Sequence, residues 1–293
     1  MSNKGLLFAN INRLEEALEF YDKAIEINPN CAVVWSNKGL ALSELNEFEK
    51  AFESYDKAIQ LEPGNAIFWY HKGNLFTEKG SYDESLTCFN KAIKLNPDFE
   101  RAWLNKGLVF HKSELYSEAI ECYNKVITLN SNSYEALTDK GIALIMINQF
   151  KKAINVLDKS LNINSTISAT WFYRSAAFNE IDNLEESFKS INKTIELNPD
   201  FAAAYSYKGS LFIKTRRFEE ADKFLIKAIE LNPNLASAWF NKACLFAIIQ
   251  NKELSIENLV KSIELDPKNK ENAKKDKDFK NLWDDIDFKK LVE

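Results

Sequence analysis

Apolar residues along this chain follow a helical period and not the strict alternation of a β-strand. Between residues 32 and 44, Trp35 and Leu42 fall on one face of a helix, and between 48 and 61, Ala51, Tyr55 and Ala58 do the same. A short polar stretch separates the two segments, and a proline follows the second, where a helix cannot continue. The pattern predicts two helices joined by a turn.

This hairpin pattern returns every 34 residues. Proline occupies 29, 63 and 97, then 199, 233 and 267, and the gap of 102 residues between the two groups is three periods. The same spacing relates Trp35, Trp69, Trp103, Trp171 and Trp239, and also Gly5, Gly39, Gly73, Gly107, Gly141 and Gly209. Three residue types that share one period without an insertion predict a repeat array.

Numbering the repeat from Ala32 places tryptophan at position 4, glycine at position 8 and proline at position 32. A first unit, 1–31, begins at its fourth position. The complete units that follow are 32–65, 66–99, 100–133, 134–167, 168–201, 202–235 and 236–269, and residues 270–293 come after the last unit.

The order of tryptophan, glycine, tyrosine, alanine and proline in each unit resembles the tetratricopeptide repeat. The resemblance covers residues 1–269 and implies an all-α fold, a right-handed superhelical α-solenoid of helix-turn-helix repeats. One departure is systematic, because position 7, usually leucine in the family, is lysine or arginine throughout. Two more are local: Leu137 replaces the tryptophan and Ser175 replaces the glycine of their units.

The two ends of the array differ in character. Residues 270–293 are expected to form capping helices that turn apolar side chains toward the last repeat, namely Phe279, Leu282, Ile286 and Leu291. The first helix has no such cover, so Leu7 and Ile11 are expected to lie on an open edge. This edge indicates either a piece of a longer protein, the favoured interpretation, or a surface for self-association or another partner.

Charge and composition exclude several classes of function. The chain has 43 acidic and 38 basic residues and a net charge of −5, which argues against a nucleic-acid-binding protein. No stretch reaches the roughly 18 apolar residues that a membrane helix needs. Four cysteines in this length do not form a disulfide framework and favour a reducing, cytoplasmic setting. The cations at position 7 are therefore interpreted as structural, each stem covering apolar surface.

Motifs of known chemistry are missing from the sequence. It has no G-x-G-x-x-G, phosphate-binding loop, H-E-x-x-H or C-x-x-C. His71 and His111 fall on adjacent first helices, but no third ligand stands at fixed spacing, so two polar surface residues are the better interpretation. We expect no enzymatic activity, no cofactor and no metal site.

The resemblance implies that the first helices line a concave groove with positions 2, 5, 6, 9, 12 and 13. Asparagines at position 6 would pair with a peptide backbone. Apolar residues at positions 5 and 9 either anchor a partner or pack against neighbouring helices, two alternatives of equal weight. The candidate peptide-binding residues are Asn3, Asn37, Tyr70, His71, Asn74, Leu104, Asn105, Leu108, Glu135, Asp139, Ile142, Phe172, Tyr173, Tyr207, Phe240 and Asn241.

The groove also indicates the charge of its partner. The family's clamp for terminal carboxylates needs basic residues where this chain has Glu135 and Asp139, so acidic chaperone tails are disfavoured and a neutral or basic segment is favoured. The sequence thus predicts a non-catalytic scaffold or adaptor that binds a protein or an extended peptide. The alternative is a regulatory or substrate-selecting array that belongs to a larger enzyme such as a glycosyltransferase.

Overall fold

The computed structural model describes residues 1–293, and every regular element in it is helical. Each repeat contributes a first and a second helix. The first helices are α1 (Ser2–Asn10), α3 (Ala32–Glu44), α5 (Ala66–Glu78), α7 (Glu100–Lys112), α9 (Tyr134–Met146), α11 (Ser168–Glu180), α13 (Ala202–Lys214) and α15 (Ala236–Ile248). The second helices are α2 (Leu14–Ile27), α4 (Phe48–Leu61), α6 (Tyr82–Leu95), α8 (Tyr116–Leu129), α10 (Phe150–Ile163), α12 (Leu184–Leu197), α14 (Phe218–Leu231) and α16 (Lys252–Leu265).

The turn inside each repeat uses one backbone conformation. Position 15 has a positive φ in all repeats, from Asn12 at 59° to Gln250 at 62°, and only Gly80 is a glycine there. The left-handed residue lets the next backbone N–H reach back to the end of the first helix; Leu115, for example, donates to the carbonyl of Phe110 at 2.9 Å. The same turn thus recurs at the same place in every 34-residue unit.

The two helices of a repeat approach closely because positions 8 and 20 are small. A Cβ atom on Gly39 would stand 2.8 Å from Cε1 of Tyr55, so the tyrosine ring fills the space over the glycine. Where position 20 is serine, its hydroxyl donates to the position-8 carbonyl, as Ser85 does to Gly73 at 2.9 Å. The close approach of the two helices therefore depends on small residues at positions 8 and 20, which the repeat keeps in a fixed register.

The chain forms two compact units, residues 1–148 and 149–293. In the first, the cores lie between successive helices, as in the cluster of Leu42, Ala51, Tyr55 and Leu75. At the edge of this unit, Leu7 of α1 is 61% exposed, and Ile11, which directly follows α1, is 55% exposed.

The second unit includes the C-terminal segment, which consists of α17 (Asn269–Lys275), a 3-10 helix (Lys277–Leu282) and α18 (Ile286–Val292). Phe279 and Leu282 are buried in one core with residues of α15 and α16, and Leu291 packs at its margin. Ile286 points outward with 67% of its surface exposed, contrary to expectation. Because Asp285 caps α18 at its start, Phe288 and Val292 are the residues that face inward.

Candidate functional site

In residues 1–148, consecutive first helices lie side by side. The helix α3 contacts both α1 and α5, and α7 contacts both α5 and α9, whereas the second helices are less closely spaced. In a curved stack of helix pairs, the more closely spaced helices lie on the inner side, so the first helices form the inner side here. We call the surface they expose, at positions 2, 5, 6, 9, 12 and 13, the first-helix face.

Large apolar side chains are exposed along this face. Val33 and Ile67 at position 2 are 48% and 50% exposed, Leu40 at position 9 is 41% exposed, and Met146 at position 13 is 50% exposed. The sequence-based set omitted Val33, Ile67 and Met146, although their positions in the repeat were enough to find them. Three members of that set, Leu104, Leu108 and Ile142, are half-buried.

Three of the sequence-predicted residues form one hydrogen-bonded group between α5 and α7. The amide nitrogen Nδ2 of Asn105 donates to Oδ1 of Asn74 at 2.8 Å and to the hydroxyl of Tyr70 at 3.3 Å. The Tyr70 ring packs on Phe99, with ring centroids 5.0 Å apart. The Oδ1 atom of Asn105 and the Nδ2 atom of Asn74 stay available, so the pair presents one acceptor and one donor side by side.

His71 lies beside this group and serves packing. Its ring stacks on Tyr55 with centroids 6.0 Å apart and contacts Tyr70 at 5.4 Å. Burial lowers the pKa of His71, and the positive charge of Arg101 on α7 lowers it further. The histidine is therefore neutral at pH 7. His111 packs edge-on against Tyr116, and burial lowers its pKa as well.

The acidic residues predicted for the face lie one turn apart on α9. Glu135 is exposed and Asp139 is half-buried. Burial raises the pKa of Asp139 to about 6, and the nearby charge of Glu135 contributes. The other two asparagines predicted for the face in this unit differ in exposure: Asn3 is exposed, and Asn37 is half-buried.

In residues 149–293 the predicted aromatic residues pack together. Phe172 contacts Tyr173 and Tyr207, with ring centroids 5.4 Å apart in both pairs, and burial raises the pKa of Tyr207. Asn241 donates from Nδ2 to the hydroxyl of Ser206 at 3.1 Å, which links α13 and α15. Phe240 lies against Phe279 of the C-terminal segment at 5.6 Å, so its ring packs within the chain.

Comparison with known families agrees with this architecture. A model described as "Tetratricopeptide repeat" matches residues 1–31, 32–65 and 100–133, and a second model with that description matches 202–235 and 236–269. A model described as "TPR repeat" matches residues 73–114. The chain belongs to the tetratricopeptide repeat family.

Solved structures of tetratricopeptide repeat (TPR) proteins are similar to it. YrrB, described as a TPR protein with an unusual peptide-binding site, is 26% identical with a TM-score of 0.55; the match covers 64% of this chain and 97% of YrrB. A TPR protein from Parabacteroides merdae is 18% identical, with a TM-score of 0.63 and coverage of 87% and 96%. The Cut9–Hcn1 structure is 17% identical, with a TM-score of 0.68, and the match covers 96% of this chain and 53% of that one. No curated protein matches the sequence.

Four of the eight basic residues that distinguish this TPR array at position 7, namely Lys38, Lys72, Arg174 and Lys242, pair with a carboxylate of the preceding second helix. Lys38 contacts Asp22 at 2.6 Å, and Arg174 contacts Asp158 at 2.7 Å. The ammonium of Lys38 also lies 5.6 Å from the centre of the Trp35 ring. These contacts agree with the structural interpretation of the basic residues.

One cluster of possible metal-binding groups lies outside the sequence-predicted set. The ligand atoms of Cys244, Asp276 and Asp278 are all within 4.8 Å of one another. They line a cavity of about 390 Å³ together with Lys214 and Asn241. Burial and the two carboxylates raise the pKa of the Cys244 thiol, which donates to Asp276. The thiol is therefore protonated at neutral pH. Sequence reasoning missed this cluster because it joins the last repeat to the C-terminal segment.

Two further observations concern the setting of the protein. No helix in the structure combines the length and the apolar character that crossing a membrane requires. All four cysteines are free thiols.

Proposed function

We propose that this TPR protein is a non-catalytic scaffold that binds an extended, neutral or basic segment of a partner protein along the first-helix face of residues 1–148. The observation that carries the proposal is the set of exposed apolar residues Val33, Leu40, Ile67 and Met146 on that face. Apolar side chains that are exposed on the same face of several repeats favour contact with another molecule.

The amide pair between α5 and α7 supports an extended peptide as the ligand. A peptide group offers one N–H and one carbonyl, and the free acceptor of Asn105 and free donor of Asn74 match both. The carboxylates of Glu135 and Asp139 favour a segment without acidic residues at that end.

The similarity to YrrB also supports this function. YrrB is described as having an unusual peptide-binding site, and the match to it spans almost the whole of its chain. The exposed apolar residues of this chain lie on its first helices, in the part of the fold that the two proteins share.

The thiols favour a reducing compartment such as the cytoplasm and a protein without covalent chemistry. Burial raises the pKa of Cys88 and of Cys122 to about 11. Both thiols are thus protonated at neutral pH, and a protonated thiol is a poor nucleophile.

A peptide selection tests the proposal. A random peptide library is selected on the intact protein, and the tightest peptide is titrated by fluorescence anisotropy against a Leu40→Ser/Ile67→Ser variant. Loss of both apolar contacts is expected to weaken binding by about tenfold or more. The control, Leu95→Ser on the second helix α6, removes a side chain of similar exposure and is expected to leave affinity unchanged.

Either of two results would contradict this function. One is that no peptide binds the folded protein. The other is that Leu95→Ser weakens binding and the first-helix variant does not, which would move the interface to the second helices. Circular dichroism of each variant establishes that it is folded.

A further inference from the structure

A cavity of about 540 Å³ opens between the loop that precedes α5 and the loop that follows α6. Gly64, Ala66 and Ile67 line one side of it, and Asn96 lines the other. Ile67 belongs to the first-helix face, so the cavity continues that face at the amino-terminal end of α5. A Cβ atom added to Gly64 would meet nothing within 4 Å.

In the next repeat the chain's own carboxylates bridge the equivalent place. The amide nitrogen Nδ2 of Asn130 donates to Oε1 of Glu100 at 3.1 Å, across the space between the two loops. The ammonium of Lys125 contacts Oδ1 of Asp98 at 3.5 Å. Both carboxylates occupy repeat positions, 1 and 33, that carry alanine and glycine at the cavity.

The amide that meets the glutamate is retained at the cavity. Asn96 is equivalent to Asn130, and both side chains accept a hydrogen bond from the backbone N–H two residues later, at 3.2 and 3.1 Å. The shared turn gives the two amides the same orientation, so Nδ2 of Asn96 points into the cavity. Ala66, in the place of the glutamate, offers it no side-chain acceptor.

The lysine that meets the aspartate is retained as well. Lys91 is equivalent to Lys125, and its ammonium lies 5.9 Å from the centre of the Trp69 ring. The Trp69 indole donates to the carbonyl oxygen of Pro63, the residue before Gly64. Lys91 therefore lies beside the glycine that stands in the place of its carboxylate partner.

A second carboxylate is missing along α6 itself. The equivalent lysine of three other second helices pairs with a glutamate three residues later, as Lys193 does with Glu196 at 2.5 Å. In α6 that residue is Lys94, so two ammonium groups lie one turn apart. Glu62 also lines the cavity, and its Oε2 atom accepts from Nδ2 of Asn65 at 3.4 Å. Two cations and an amide donor thus face one carboxylate that is already hydrogen-bonded.

We infer that this cavity is a subsite for an acidic side chain of the bound segment, an inference that rests on the proposed function. A carboxylate there accepts from Nδ2 of Asn96, as Glu100 accepts from the equivalent amide in the next repeat. The flexible stem of Lys91 brings its ammonium to the same group. Ile67 supplies apolar surface for the methylene groups of the acidic residue.

The subsite gives the bound segment a charge order. Its acidic side chain lies beside α5, whereas Glu135 and Asp139 on α9 favour a residue without negative charge. A segment with one acidic residue at the first place and a basic residue at the second is neutral overall, which agrees with the proposed function.

Filling the cavity with carboxylates of the chain tests the subsite. Gly64→Asp/Ala66→Glu copies the next repeat at these two positions. The tightest peptide from the random library, and analogues with each acidic residue in turn changed to its amide, are titrated by fluorescence anisotropy. The wild type is expected to prefer the acidic peptide to one of these analogues by about fivefold. Gly64→Asp/Ala66→Glu is expected to bind both equally.

The matched control adds the same two carboxylates to another repeat. Asn234→Asp/Ala236→Glu changes positions 33 and 1 within residues 149–293 and is expected to keep the preference. It separates occupation of the cavity from a general effect of added negative charge.

Removal of the amide donor is the second test. Asn96→Asp keeps the acceptor that the turn needs, as Asp266 does at the same position of the last repeat, and loses the donor. It is expected to reduce the preference about threefold or more. Asn232→Asp makes the same change in residues 149–293 and is expected to leave the preference unchanged. Circular dichroism establishes that each variant is folded.

The outcomes separate this inference from the proposed function. The subsite would be overturned by selected peptides without an acidic residue, by a preference that survives unchanged in Gly64→Asp/Ala66→Glu or Asn96→Asp, or by its equal loss in the control variants. If those same peptides lose affinity in Leu40→Ser/Ile67→Ser, the proposed function still stands. Failure of every peptide to bind the folded protein would remove both.

Discussion

The indole nitrogen of Trp35 donates a 2.8 Å hydrogen bond to the carbonyl oxygen of Pro29. The same bond recurs at Trp69, Trp103 and Trp239, each with the proline six residues earlier. Trp171 makes it to the carbonyl of Ser165, so the bond requires the backbone of that position and not the proline ring. It fastens the start of one repeat to the end of the repeat before it.

Removal of this bond is expected to destabilise the array. Trp103→Phe keeps an aromatic ring and loses the donor, which should lower the free energy of unfolding by about 1 kcal/mol beyond the effect of the smaller ring. Trp283→Phe is the control, because its buried indole N–H has no partner. Equal losses in urea unfolding of the two variants would show that the bond contributes nothing.

Close helix contact at position 8 leads to a second prediction. Gly107→Ala places a methyl group where the Tyr123 ring lies, and overpacking of this kind is expected to cost about 1–3 kcal/mol. Gly64→Ala adds a methyl with no atom within 4 Å and should cost less than about 0.5 kcal/mol. The last repeat carries alanine at this position, Ala243, in one core with Leu259.

A double-mutant cycle tests whether the penalty of Gly107→Ala comes from its contact with the Tyr123 ring. In the background Tyr123→Leu, the penalty of Gly107→Ala is expected to shrink, which gives a coupling between the two positions of about 1 kcal/mol. An unchanged penalty would mean that the methyl group clashes with something other than the tyrosine ring.

The shared turn gives a prediction about stabilisation. Glu114 has a φ of 61°, a conformation that costs a residue with a Cβ atom about 1 kcal/mol and costs glycine little. Glu114→Gly is therefore expected to raise the free energy of unfolding by about 0.5 kcal/mol, and Gly80→Ala to lower it by about 1 kcal/mol. A destabilised Glu114→Gly would show that the glutamate side chain contributes more than its backbone costs.

The carboxyl of Asp139 predicts a pH dependence of stability. Its folded pKa, about 6, lies above the ordinary value of 3.8, so the folded state binds more protons than the unfolded state between those values. The free energy of unfolding therefore falls as pH rises through this window, by about 1–3 kcal/mol from this group. Asp139→Asn should be more stable than the wild type at pH 7, and its free energy of unfolding should lack the pH dependence that Asp139 contributes.

Urea unfolding of wild type and Asp139→Asn at about pH 4.5 and about pH 7 measures the effect. Asp83→Asn, which changes an exposed carboxylate on α6, serves as the control. If the difference between wild type and Asp139→Asn were the same at both pH values, the carboxyl would not titrate as described.

The helical hairpins and the family were predictable from the sequence, whereas the burial of Asp139 and its raised pKa were not. A fixed period of tryptophan, glycine and proline is a property of the sequence itself, so the repeats follow from it. The burial of Asp139 and the unpartnered hydroxyl of Tyr123 depend on how α7, α8 and α9 pack, which no single repeat encodes. The exposed Ile286 was mispredicted for a related reason, since the start of α18 at Asp285 decides which side turns inward.

The asparagines at position 6 also show what the sequence can and cannot predict. The sequence predicts the position of Asn105 and Asn241 on the first helices, and both lie there. Their amide nitrogens, however, donate to the preceding first helix, to Asn74 and Ser206. Side-chain amides rotate toward the nearest acceptor, and only the three-dimensional neighbours determine which atoms stay free.

The contact between Phe240 and Phe279 has a consequence for how the array is counted. In residues 149–293 the ring of Phe279 packs on Phe240, as the ring of Phe201 packs on Phe172, the equivalent residue of α11. The C-terminal segment therefore occupies the place beside the last first helix that a further repeat would occupy. A count of repeats by sequence motif thus stops one layer before the packing does.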